Sequence, residues 1–138
     1  MVGDYMATDL FKSNNMSKVA VDTSALITLC EGHDFFSYVE NELGKVKYVI
    51  PTSVMEELKK LAGENPKYAR CLNLINKIMN INNISVVYTG ESKYADADLL
   101  EMSADLFVTN DMELASKLKN QGKRVFILKK NRYYDFYW

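Results

Sequence analysis

The chain has 138 residues, of which 48% are hydrophobic and 25% charged. That is one ordinary domain, large enough to bury a core without disulfide or structural-metal staples. A formal net charge of −1 excludes a global positive field that would draw the molecule to nucleic acid, so any such binding must come from local patches. Cys30 and Cys71 have neither zinc-ribbon nor disulfide-framework spacing, and they read as two buried free thiols in a reducing cytoplasm.

Residues 1–17 carry no clear period and no apolar run long enough for a signal peptide. They read as a leader or extension, with Met16 a candidate start, ahead of a domain at 18–138. No stretch approaches the apolar length of a membrane span, so a cytoplasmic protein without a membrane partner is expected. From Lys18 onward two kinds of segment alternate. Short apolar, β-branched runs at 18–22, 46–51, 84–89, 106–110 and 124–128 are continuous rather than alternating, as strands covered on both faces should be. Between them lie helical patterns at 23–31, 33–43, 52–62, 68–79, 95–104 and 111–121. Gly44 and Gly122 serve as stops, and Pro51 and Pro66 stand at starts. Strand–helix alternation predicts an α/β fold of three α/β/α layers around a central parallel sheet of about five strands.

In such sheets ligands bind beyond the carboxyl ends of the strands. Asp22 closes the first strand, Asp111 follows the fourth, Glu56 and Glu57 lie in the helix after the second, and Asp96 and Asp98 open the helix before the fourth. Each acid has a plainer role available, as a helix cap, a dipole partner or a solvated surface group. Asp22 is the hardest to dismiss, because it ends the apolar run Val19-Ala20-Val21. Converging carboxylates repel one another, and a hard divalent ion such as Mg²⁺ or Mn²⁺ removes that conflict. The matching chemistry is phosphodiester hydrolysis. The single histidine, His33, lies outside these segments, and no GxSxG, HExxH or Walker-type glycine loop is present. A haloacid-dehalogenase-like site would need an Asp two residues after Asp22, where Ser24 stands.

The four acid-bearing segments resemble the motifs of the PIN-domain nucleases, in order, over roughly residues 18–132. Asp22-Thr23-Ser24 is similar to the first motif, Val54-Met55-Glu56-Glu57-Leu58 to the second, Tyr94-Ala95-Asp96-Ala97-Asp98 to the third and Thr109-Asn110-Asp111 to the fourth. The resemblance implies a PIN-like fold and a metal-dependent endoribonuclease. Asp22, Glu57, Asp96 and Asp111 would be its catalytic acids, with Mg²⁺ or Mn²⁺ held by Asp22, Asp96, Asp98 and Asp111. Ser24, Thr109 and Asn110 would be supporting polar groups. The third motif departs from the usual Ala-Asp-Asp, because Ala97 separates its two acids. The C-terminal half is most similar to the archaeal and Fcf1-like branch, which implies ribosomal RNA processing or RNA turnover and a pre-ribosomal partner. Toxin members of toxin–antitoxin pairs share the core, which implies an antitoxin partner instead. A catalytically weak RNA-binding scaffold is a third reading.

The RNA partner, single-stranded or structured, would need a basic track. Lys129, Lys130 and Arg132 are the first candidates, with Lys67, Arg70, Lys117, Lys119, Lys123 and Arg124 behind them. The tail from Tyr133 to Trp138 is strongly aromatic. It reads as packing against the domain or against a second copy in a homodimer, ahead of base stacking.

Overall fold

The computed structural model describes residues 16–89 and 94–136. The proposed leader, apart from Met16 and Ser17, and the last two aromatic residues, Tyr137 and Trp138, therefore lie outside the described residues. Six strands form one sheet in the order β3-β2-β1-β4-β5-β6. They are β1 (Ser17–Val21), β2 (Val46–Pro51), β3 (Ile84–Val87), β4 (Leu106–Thr109), β5 (Val125–Lys129) and β6 (Arg132–Asp135). The first five run parallel, and β6 pairs antiparallel with β5. Six helices connect them: α1 (Thr23–Cys30), α2 (Phe36–Leu43), α3 (Thr52–Glu64), α4 (Pro66–Ile78), α5 (Ala95–Glu101) and α6 (Met112–Asn120).

The central strands are buried because their residues are apolar without interruption. Val19, Ala20 and Val21 of β1, Val49 and Ile50 of β2, and Leu106, Phe107 and Val108 of β4 are all sealed from solvent. Helices close over both faces with apolar stripes of helical spacing, Val54 and Leu58 on α3 and Leu114 and Leu118 on α6. Truncating a fully buried leucine such as Leu58 or Leu99 to alanine should cost about 2–5 kcal/mol. Local signals set the helix ends. Asn65 accepts the Lys67 N–H at 2.9 Å with Pro66 at the first helical position of α4, and α6 stops at Gly122, whose φ of 82° favours glycine.

The strand order decides where a site can form. From β1 the chain steps outward through β2 to β3, then returns to the other side of β1 for β4 and β5. Right-handed crossovers running in opposite directions place helices on opposite faces. Consistent with this, Tyr133 meets Thr28 of α1 and Phe35, just before α2, while Phe136 meets Lys119 of α6. The reversal lies between β1 and β4, and a crevice opens there at their carboxyl ends.

Two features were not read from the sequence. The sixth strand is the first. The basic run and start of the aromatic tail form a tight hairpin, with Lys129 paired to Arg132 and Lys130 and Asn131 at φ of 52° and 67°. Positive φ at both central residues gives the turn whose twist suits paired strands. Tyr133 and Phe136 are buried, so for these two the aromatic segment packs against its own domain. The second is a correction. Cys30 and Cys71 are not free thiols but a disulfide joining α1 to α4, with Cα atoms 5.4 Å apart. Residues 41 apart in sequence meet because α4 folds back across α1. No helix among the described residues is long and apolar enough to cross a membrane.

Candidate active site

Asp22 stands where β1 ends and α1 begins, and its side chain makes no capping bond to the helix. Its backbone N–H instead reaches across to Val108 O at 3.0 Å. Its Oδ2 accepts two hydroxyls, Ser24 Oγ at 2.7 Å and Thr109 Oγ1 at 2.8 Å. Ser24 Oγ also accepts the Asn110 N–H at 2.8 Å, and Thr109 Oγ1 accepts the Asp111 N–H at 3.0 Å. These bonds bind the ends of β1 and β4 together and spend one carboxylate oxygen of Asp22. The Asn110 side chain is exposed, so its contribution here is its backbone.

Asp111 is a true cap of α6. Its Oδ1 accepts Glu113 N–H at 2.9 Å and Leu114 N–H at 3.2 Å, which leaves its other oxygen for another partner. Glu56 and Glu57 are adjacent on α3 and part ways. Glu56 faces solvent beside Lys59, at 3.7 Å. Glu57 turns toward the crevice, where partial burial and the charges of Asp22 and Asp96 hold its carboxyl above the ordinary range. The buried Thr23 hydroxyl lies close enough to Glu57 to pull the other way by hydrogen bonding. Asp96 is raised by the same causes, partial burial first and then Asp22 and Asp111, with Lys117 opposing. Asp22, Glu57, Asp96 and Asp111 thus share one electrostatic neighbourhood, drawn from four separate chain segments. Among the described residues, however, no group of three acid, histidine or cysteine side chains is already closed into a metal cage.

Asp98 goes elsewhere. It is 2% exposed, and its Oδ2 accepts Thr89 Oγ1 at 2.8 Å. Thr89 in turn touches Thr52 at the start of α3. Residues two apart on a helix point to well-separated faces, so Asp96 and Asp98 on α5 cannot both serve the crevice. Sequence reasoning missed Thr23, Thr52 and Thr89. Their only signal was a threonine standing at or next to a strand end.

The basic candidates divide as well. Lys67 pairs with Glu31 at 2.9 Å, and Arg124 pairs with Asp135 at 2.6 Å and Glu42 at 3.2 Å. Lys123 donates to Leu100 O and lies over Phe107, and Lys119 lies over Phe136. Lys129, Lys130 and Arg132 are exposed on the β5–β6 hairpin. Arg132 lies 5.9 Å from the rings of both Tyr38 and Tyr134.

An α/β/α sheet with carboxylates gathered at its topological switch point defines a class of acid-site α/β domains. A family model described as a PIN-like domain matches residues 19–131, and the chain belongs to that family. The fold is similar to that of the PIN domain endonuclease Utp24, with a TM-score of 0.65 and 23% identity, covering 84% of this chain and 88% of that one. It is also similar to a domain of a functionally unknown protein from Methanocaldococcus jannaschii DSM 2661, with a TM-score of 0.55 and 23% identity, covering 82% and 91%. No curated protein matches the sequence.

Proposed function

We propose that this chain is a metal-dependent endoribonuclease that hydrolyses RNA phosphodiester bonds at the Asp22 crevice. The observation that carries the reading is Asp22 itself. Its side chain occupies a capping position yet makes no capping bond, and two hydroxyls hold it beside two more carboxylates that partial burial, and then the neighbouring acids, push above the ordinary range. The donor set is all oxygen and short of cations, which fits a hard divalent ion such as Mg²⁺ or Mn²⁺. Asp22, Asp96 and Asp111 are the residues that would hold it. Such an ion, when bound, supplies a water of lowered pKa and offsets charge on the phosphate oxygens.

The chain's own part is positioning. Ser24 and Thr109 fix Asp22, the cap of α6 fixes Asp111, and Glu57 faces the same space to accept a hydrogen bond from the attacking water. Lys117 tempers the negative field near Asp96. The order of motifs in the C-terminal half favours a role in ribosomal RNA processing or RNA turnover over a toxin's. The scaffold reading draws on one observation, the lack of a pre-closed acid cage among the described residues.

Incubating the purified chain with single-stranded and structured RNA, with Mn²⁺, Mg²⁺ or chelator, decides the matter. Cleavage that needs metal and disappears in Asp22→Asn is expected. Cleavage that ignores chelator sinks the metal mechanism, and none under any metal leaves the scaffold.

A further inference from the structure

A cavity of about 470 Å³ opens between the first turn of α6 and the β5–β6 hairpin, lined by Met112, Ile127, Lys129, Tyr134 and Phe136 among others. We infer that it is a base-binding subsite, which takes one unpaired nucleobase of a single-stranded RNA beside the phosphate held at the Asp22 crevice. The inference rests on the ribonuclease reading for its substrate.

Position is the first argument. Asp111 caps α6 and Met112 is the next residue, so their Cα atoms are about 3.8 Å apart. Thr109 pairs with Ile127 across β4 and β5, so the Lys129 end of β5 lies at the same edge of the sheet as the Thr109–Asp22 bond. The cavity and the crevice are neighbours along one rim.

Chemistry is the second. Met112 and Tyr134 line the cavity and are 46% and 47% exposed, so each keeps a solvent-accessible face. An aromatic ring is a flat surface on which any base stacks regardless of sequence, and a polarisable thioether makes favourable contacts with aromatic rings. Arg132 lies 5.9 Å from the centre of the Tyr134 ring.

Charge is the third. Asp135 also borders the cavity, but its carboxylate is bound by Arg124 at 2.6 and 2.8 Å, so it does not repel a phosphate. Lys129 makes no ion pair among the described residues, and Lys130 and Arg132 flank it on the same hairpin. An apolar slot with cations at its lip matches a nucleotide, base inward and phosphate outward, better than it matches a second apolar protein face.

The test titrates the ¹⁵N-labelled full chain, in chelator, with uridine 5′-monophosphate, adenosine 5′-monophosphate and ribose 5-phosphate. Amide shifts centred on Met112, Ile127, Lys129 and Tyr134 are expected with both nucleotides and not with the sugar phosphate. Tyr134→Ala should weaken nucleotide binding about tenfold or more and raise KM for single-stranded RNA with little change in kcat, while Tyr134→Phe should restore both. Equal shifts with ribose 5-phosphate, or none at these residues, overturn the subsite. So does a dimer that dissociates in Tyr134→Ala without nucleotide shifts, because it assigns the cavity to a second copy. Nucleotide shifts in a chain that cleaves no RNA would uphold the subsite and sink the nuclease reading. Metal-dependent cleavage with an unchanged KM in Tyr134→Ala would do the reverse.

Discussion

Thr109 Oγ1 donates to Asp22 Oδ2 at 2.8 Å and accepts the Asp111 N–H at 3.0 Å, so one hydroxyl links the acid of β1 to the acid that caps α6. Thr109 is 0% exposed, which makes the link costly to break. Thr109→Val keeps the shape and removes both bonds. It leaves the half-buried Asp111 N–H without its acceptor and the Asp22 carboxylate with Ser24 alone. A loss of about 1–3 kcal/mol in denaturant unfolding is expected, together with a 10–100-fold fall in metal affinity or cleavage. Thr109→Ser should recover most of both. A valine variant as active and as stable as the parent would show that the link has no part in placing Asp22.

Glu57 and Asp96 make the metal-free protein sensitive to pH in a definite direction. Both carboxyls are raised in the folded chain, so between their ordinary and raised values the folded state binds more protons than the unfolded one. Their contribution to stability is therefore full below the ordinary carboxylate range and is lost as pH rises through the raised values. In chelator, Asp96→Asn should melt higher than the parent at pH 7. Asp96 is well exposed to solvent, so screening holds the gain to about 1 kcal/mol or less, a few degrees. Adding Mn²⁺ should reverse the order, raising the melting temperature of the parent by mass action and that of Asp96→Asn much less. A parent indifferent to Mn²⁺ and Mg²⁺ at millimolar concentration would remove the metal from the proposal.

Asp98 offers a way to separate holding a metal from holding the scaffold. Its bond to Thr89, which touches Thr52 at the head of α3, ties the end of β3 to the helix that carries Glu57. One of its oxygens is buried without a partner among the described residues, and the other is the acceptor for the Thr89 hydroxyl, so removing the side chain leaves a small cavity and a hydroxyl without that acceptor. Asp98→Ala should destabilise the fold by about 1–3 kcal/mol yet keep its Mn²⁺-dependent rise in melting temperature, whereas Asp96→Asn should lose that rise and stay folded. The opposite pattern in differential scanning fluorimetry would make Asp98 the ligand.

The first five strands and the six helices were legible because parallel strands buried on both faces must be apolar throughout, and runs such as Val19-Ala20-Val21 and Leu106-Phe107-Val108 have no other comfortable environment. The four acids at the carboxyl edge followed from the same segmentation. Strand β6 was not legible. Arg132-Tyr133-Tyr134-Asp135 has a charge at each end, and its turn is Lys130-Asn131 rather than the usual Asn-Gly, so nothing local announced a hairpin. The roles of Asp96 and Asp98 depended on which face of α5 met Thr89, a tertiary fact. Helical geometry alone already forbade both from pointing one way. Glu56 and Glu57 are chemically alike, so composition could not separate them; the motif register singled out Glu57, and the docking of α3 is what turns it toward Asp22 and Asp96 while Glu56 meets Lys59.

Cys30 and Cys71 are the remaining surprise, because nothing in two isolated cysteines 41 residues apart marks them as partners. The bond ties α1, which carries Thr23 and Ser24 at its start, to α4 at the far side of the α3–α4 pair. Chain-entropy closure of a loop of this length removes about 4 kcal/mol from the unfolded state's advantage. Reduction, or the double change Cys30→Ser with Cys71→Ser, should therefore lower unfolding free energy by about 2–4 kcal/mol. The acid crevice itself is held by Ser24 and Thr109 rather than by the bridge, so cleavage per folded molecule should change little. Mass spectrometry of the unreduced chain should show it about 2 Da lighter than the free-thiol form. An unreduced chain carrying two free thiols, or one whose stability is untouched by reductant, would return the pair to ordinary buried cysteines. A large loss of activity at unchanged stability would instead mean that the bridge positions α1 for catalysis.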